Sequence, residues 1–370
     1  MDQVTKLFVD LVKIPSPSGK ELEVGEFIKK YLIKIKVTAD FDSSGTLNDS
    51  NSGNLIAKLQ GDPALPTILF AAHMDTVETG KKLINPQVKD GVITSERNTI
   101  LGADDKAAVA SLLETLKEVR EWKKRPTIIA AFTSREEQGK MGASVLNLPE
   151  KIDYCFNLDG PNELGDFVYQ TLGEVPFEIV IKGKAAHAAV EPEKGVNAIK
   201  TAAKFISLLP IGKDEKGTVL NIGKIAGGTA NNVVPDEVFL TGQARAFEQK
   251  ELNQMLDKIS HLLKKTCNSS GCTFEFIKKP EEGAPPSSLN KDHKMVGIAQ
   301  RATESLGKKF RLIQGSYTSD SNFLGVKYPT LTSCRGSKLP HSFEESVTVE
   351  NLNDSKALLL ELIKQVSITS

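Results

Sequence analysis

Five short clusters in this chain carry side chains that can hold metal ions and move protons. They are His73-Met-Asp75, Asp104-Asp105, Glu136-Glu137, Asp159-Gly160 and, far downstream, His341 in Lys338-Leu-Pro-His341-Ser-Phe-Glu344-Glu345. Two imidazoles with several carboxylates and no thiolate suit Zn²⁺, Mn²⁺ or Co²⁺ in a hydrolytic site. Carboxylates in such number would repel one another unless cations neutralised them. A bridging Asp can hold two ions about 3.5–4 Å apart, the arrangement of two-metal hydrolases. Asp75, two residues after His73, can accept the imidazole's other N–H and fix its tautomer. Glu136 and Glu137 are neighbours that point to opposite sides of an extended chain, so they need separate roles. One can ligate metal while the other faces the activated water and serves as general base.

Each cluster also has a plainer reading. His-x-Asp is a common triplet, and Asp-Asp at a helix start is usually a cap and dipole partner. Glu-Glu and Asp-Gly-Pro are usually solvated turns. His341, after Pro340, can be an exposed loop histidine. Their joint occurrence is far more specific, because three of the five follow apolar runs that read as buried strands.

Those runs are 67–72, 127–132 and 154–158. In parallel α/β sheets, ligands collect outside the carboxyl ends of strands. Helical periodicity marks Val4, Leu7, Phe8, Leu11 and Val12, then Val24, Phe27, Ile28, Tyr31 and Leu32, then Val109, Leu112, Leu113, Leu116 and Val119. Alternating strands and helices imply an α/β layer with a mainly parallel sheet. From about residue 173 the rhythm changes. Val175, Phe177, Ile179 and Ile181 alternate strictly, and the order that follows is βαββαβ, the ferredoxin-like motif. After a Pro/Ser/Gly linker at 281–288, a helix at 291–306, a strand near 330–332 and a helix at 352–366 return to the first domain. The expected organisation is a discontinuous catalytic domain, 1–172 plus 283–370, interrupted by a lid at 173–282.

Composition narrows the function classes. The 370 residues hold 47 Lys plus Arg against 47 Asp plus Glu, so no global field draws in nucleic acid or anionic membrane. No apolar run approaches the roughly 18–20 residues that span a bilayer, and the start does not read as a secretory signal. Four scattered cysteines make neither a disulfide scaffold nor a thiolate zinc knot. A cytoplasmic protein is expected. No G-x-S-x-G elbow or P-loop anchors a serine-hydrolase or nucleotide reading.

The motifs HMDTV (73–77), LGADDKAAVA (101–110), SREEQGKMGA (134–143), NLDGP (157–161), KAAHAAVEPEKGVNAI (184–199), GGTANNVVPDE (227–237) and PHSFEE (340–345) occur in this order along nearly the whole chain. Together they resemble the two-zinc metallopeptidase family of peptidase T, carboxypeptidase G-type enzymes, aminoacylases and succinyl-diaminopimelate desuccinylase, and most closely its peptidase T-like branch. The resemblance implies a zinc-binding α/β domain with an inserted ferredoxin-like lid. It implies His73 as ligand of one ion and Asp75 as the acid orienting it. Asp104 becomes the bridging carboxylate, Glu136 the general base, Glu137 a ligand of the other ion, Asp159 a ligand of the first and His341 the last ligand. His187 resembles the lid histidine that steadies an oxyanion, and Asn232 and Arg245 resemble residues that meet the substrate. Read alone, His187 is an exposed loop histidine and Arg245 a sheet-face salt bridge.

The implied cofactors are two divalent ions, Zn²⁺ first, with Mn²⁺ or Co²⁺ as alternatives. The implied substrate is a short peptide cleaved by a tripeptide-type aminopeptidase, with a homodimer through the lid. GGTANNVVP fits the wider family better than peptidase T proper. The stretch SYTSDSNF (316–323) resembles the family's Gly-rich Asp segment but begins with Ser316-Tyr317. An N-acyl amino acid amidohydrolase or a carboxypeptidase of the same family is the alternative enzyme. A non-catalytic homologue is the reading from another class.

Overall fold

A computed structural model describes every residue except 48, 79, 81, 161, 162 and 370, so Pro161 of the NLDGP motif lies outside the described residues. The strand Ile68–His73 is buried at all six positions. Ile68, Phe70 and Ala72 face one apolar layer with Leu112, Leu113 and Leu116. Leu69 and Ala71 face a second layer with Ala143, Leu146 and Leu324. Cover on both faces is why this strand reads as a continuous apolar run and not as an alternating one. Ile128–Thr133 and Tyr154–Gly160 flank it in parallel, and Thr330–Cys334 pairs in parallel with Tyr154–Gly160. Leu55–Leu59, Thr38–Phe41 and Asp166–Thr171 extend this core antiparallel on either side. The sheet is thus mainly parallel at its centre, as the sequence implies.

The register matters for chemistry. His73 pairs with Thr133, so both strands finish together, and Asp159 and Gly160 end the third. The sheet therefore delivers His73, the 134–137 turn and Asp159 to one carboxyl edge. Helix Ala103–Val119 packs on the sheet and against Gln3–Val12 and Val349–Thr369. The flanking strands Thr38–Phe41, Leu55–Leu59, Asp166–Thr171 and Arg311–Gly315 are not legible as strands in the sequence. They are short and only partly buried, so their apolar pattern is weak.

The chain divides into two compact units. One holds Met1–Gln170, Ser288–Gly315 and Ser319–Ser370; the other holds Thr171–Ser287 and Ser316–Thr318. In the second, an antiparallel sheet runs Gly212–Lys213, Val219–Gly227, Glu237–Ala246, Gly173–Lys182, Thr273–Lys278. Its inner face carries Val175, Phe177, Ile179 and Ile181, packed with Phe205 and Leu263 of helices Ala198–Leu208 and Gln249–Ser270. The order is βαββαβ with one added two-residue strand. Among the described residues, no helix is long and apolar enough to cross a membrane. All four cysteines are buried and none is in a disulfide.

Candidate metal centre

His73 is the last residue of its strand and 1% exposed. Its Nε2 lies 3.0 Å from Asp104 Oδ1. Its Nδ1 lies 3.0 Å from the Asp75 backbone oxygen and 3.3 Å from Asp75 Oδ1. Asp75 does more than face the imidazole. Its Oδ1 accepts the Glu136 N–H at 3.0 Å, and its Oδ2 accepts the Glu137 N–H at 3.1 Å and the Ser18 hydroxyl at 2.6 Å. One buried carboxylate thus fixes the ring and the turn carrying both glutamates.

Asp104 is presented by an irregular helix start. Gly102 has φ +74°, open to glycine, and a Cβ there would press Thr76 and Ile84 at 3.3 and 3.4 Å. Asp104 and Asp105 have non-helical angles and are joined by a cis peptide. They do not cap the helix in the ordinary way. Instead Glu345 accepts the N–H groups of Leu101, Gly102 and Asp104 at 2.8, 2.8 and 3.0 Å. A carboxylate from the far C-terminal segment thereby supplies the first-turn acceptor.

Asp104 is shared. Its Oδ2 lies 3.4 Å from His341 Nε2, which is also 2.8 Å from Glu137 Oε1. His341 is about half exposed and sits on a left-handed backbone, φ +62°. Ligand atoms of His73, Asp104 and Glu137 lie within 4.8 Å of one another, as do those of His73, Glu136 and Asp159, and of Asp104, Asp105 and Asp159. Imidazoles and carboxylates therefore meet at Asp104: His73 faces one of its oxygens, and His341, which also meets Glu137, faces the other. Their composition fits a pair of borderline divalent ions sharing one carboxylate.

Electrostatics follow from burial. Glu136 is 5% exposed, and burial next to Asp159 raises its carboxyl well above the usual range, with Lys140 Nζ 3.7 Å away. Burial beside Asp104 lifts Asp159 to about 6. Burial raises Asp105 strongly as well, and neither of its oxygens has a hydrogen-bond partner. Burial would also raise Asp104, but Arg335, His341 and His73 outweigh it and hold it well below the carboxylate range. Burial opposes protonation of His73, yet the Asp104 and Asp75 carboxylates raise it well above an ordinary imidazole. Hydrogen bonds to Asp104 and Glu137 raise His341 to about 10.

His187, Asn232 and Arg245 lie in the other unit. His187 is exposed, bridges to Val233, and its Nδ1 accepts the Ala189 and Val190 N–H groups. Asn232 is exposed, and its backbone oxygen accepts the Ala188 N–H. Arg245 pairs with Glu174 at 2.7 Å across neighbouring strands. Several residues of the centre escaped the sequence reading. Asp320, whose Oδ2 accepts the Thr133 hydroxyl, is raised to about 7 by burial. Arg335 contacts Asp104 and Asp159. Glu345 and Asp320 sit in stretches already singled out; nothing in the sequence flags Arg335.

Comparison with known proteins agrees with this geometry. Residues 171–270 match the peptidase dimerisation domain, and residues 54–203 match peptidase family M28. Over 363 residues the chain is 31% identical to the uncharacterized protein YqjE of Bacillus subtilis, covering 97% of each. Among solved structures it is similar to aminopeptidase PepT from Bacillus cereus, with 32% identity, 98% of each chain covered and a TM-score of 0.94. A tripeptidase from Staphylococcus aureus superposes with a TM-score of 0.92 at 30% identity, covering 99% of this chain and 98% of that one. A parallel-centred sheet with carboxylates and imidazoles gathered at its carboxyl edge defines a metal-dependent hydrolase. The chain belongs to the M20 metallopeptidase family, on the side related to peptidase T, and is a metal-dependent peptide hydrolase.

Proposed function

We propose that this protein is an aminopeptidase that releases the N-terminal residue of tripeptides, using two ions, Zn²⁺ first, in the cytoplasm. The observation that carries the reading is the meeting of imidazoles and carboxylates at Asp104 beside the buried, partner-poor Glu136. His73, Asp104 and Asp159 would hold one ion, and Asp104, Glu137 and His341 the other. Bound there, the ions supply Lewis acidity toward the amide carbonyl and toward water. Glu136 receives the proton of the attacking water at its carboxylate and returns it to the leaving amine. Asp75 keeps His73 in one orientation and holds the 136–137 turn through two N–H bonds. Substrate contacts by His187, Asn232 and Arg245 are proposed on the resemblance, as is a homodimer through the 171–270 segment, which its match to a dimerisation domain supports. Four buried cysteines outside any disulfide accord with a reducing compartment.

The tripeptide reading is favoured over N-acyl amino acids by the similar solved structures, an aminopeptidase and a tripeptidase. A panel of tripeptides, dipeptides and N-acyl amino acids, assayed in parallel on the Zn²⁺-loaded protein, tests it. Tripeptides should give the highest kcat/KM; a preference for acyl amino acids would replace the aminopeptidase by a deacylase.

A further inference from the structure

The centre contains a cation of its own. Arg335 follows the strand Thr330–Cys334 and is 3% exposed. Its Nη2 lies 2.7 Å from Asp104 Oδ2 and its Nη1 2.5 Å from Asp159 Oδ1, while Asp105 Oδ1 is 3.8 Å from Nη1. Its Nε donates to Ser337 Oγ at 2.9 Å, and its backbone is tied to Gly160 and Ser355. The guanidinium is therefore pinned from behind, with its fork on two of the carboxylates assigned to the ions. No surface pairing explains it, since the group is sealed from solvent and cannot swing away.

The fork reaches both proposed positions. Asp104 Oδ2 is the oxygen that also faces His341, so the Glu137–His341 position shares it with Arg335. Asp159 Oδ1, at the His73 position, takes the other arm of the fork. A fixed positive charge within hydrogen-bond distance repels a divalent ion and occupies a lone pair that the ion needs.

Resting on the two-metal reading above, we propose that Arg335 is a built-in competitor cation whose fork, on Asp104 Oδ2 and Asp159 Oδ1, weakens divalent-ion binding at this centre. Arg335 is a positioning residue, acting through Asp104 and Asp159.

The test is calorimetric titration of Zn²⁺ into chelator-stripped full-length protein, with metal content measured on the same samples. Arg335→Met should bind Zn²⁺ about tenfold or more tightly than the wild type, because the repulsive charge is gone. Arg335→Lys, which keeps the charge but cannot fork two carboxylates, should fall between them. A merely structural arginine would not tighten metal binding when removed. Unchanged or weaker Zn²⁺ binding by folded Arg335→Met overturns the proposal while leaving the two-metal reading intact. If Arg335→Met does not fold, the Arg335→Lys titration decides: tighter than wild type supports competition, and equal or weaker overturns it. Failure of wild type and variants alike to bind Zn²⁺ would remove both readings.

Discussion

His73 and His341 are held in hydrogen bonds with carboxylates that raise both imidazoles above their ordinary value, His341 to about 10. A ligating imidazole must be neutral, so an ion held by either histidine can bind only as that ring sheds a proton. The sign is fixed by the direction of the shift. Below pH 10 His341 carries a proton in the absence of metal, and apparent affinity should rise with pH up to about that value. Titrating Zn²⁺ in buffers of different ionisation enthalpy should show at least one proton released at pH 7.5. Affinity independent of pH, with no proton released, would contradict the assigned ligands.

At the scale of the elements, the sheet edge and the helix start place the ligands, and Glu345 joins the two ends of the chain there. Glu345→Ala leaves three N–H groups without their acceptor, which should cost about 1–3 kcal/mol. Urea unfolding should show a lower midpoint with an unchanged slope, and Zn²⁺ affinity should fall because Asp104 loses its anchor. In the strand that carries His73, Phe70→Ala should cost about 3–5 kcal/mol, with the loss read in the same experiment. These elements also mark what a single sequence discloses. The runs before His73, Glu136 and Asp159 are legible because both faces are buried and no polar residue interrupts them. The strands Thr38–Phe41 and Leu55–Leu59 are not, since both are short, the first has exposed positions and the second is only half-buried at every other residue. His73, Asp104, Glu137 and His341 come together as their motifs imply, yet Arg335 looked like any loop arginine. Its meaning depends on a three-dimensional neighbour at Asp104, more than 200 residues away in the chain.

Across the whole molecule, the zero net charge of the sequence hides a local imbalance. Asp75, Asp104, Asp105, Glu136, Glu137, Asp159 and Asp320 gather in one unit, where, before any ion binds, burial shifts Asp105, Glu136 and Asp320 toward the neutral form and Arg335 offsets Asp104 and Asp159. The other unit has its own apolar core around Phe177, Ile179, Phe205 and Leu263. Ion binding should therefore act on one unit's stability. A ligand at 1,000 times its Kd stabilises by about 4 kcal/mol. Scanning calorimetry with and without chelator should raise the transition of the metal-binding unit by several degrees. A variant weakened in the other core, Phe177→Ala, should lower a transition that metal does not move. A single transition shifted equally by both changes would contradict independent cores.

The central claim is that Glu136 moves the proton in a metal-dependent peptide hydrolysis. The most direct measurement compares tripeptide turnover by wild type and Glu136→Gln, each assayed with its metal content determined on the same preparation. Glu136→Gln should keep both ions and lose about 10²–10⁴-fold in kcat. Near-normal turnover by a fully metallated Glu136→Gln protein would contradict the account.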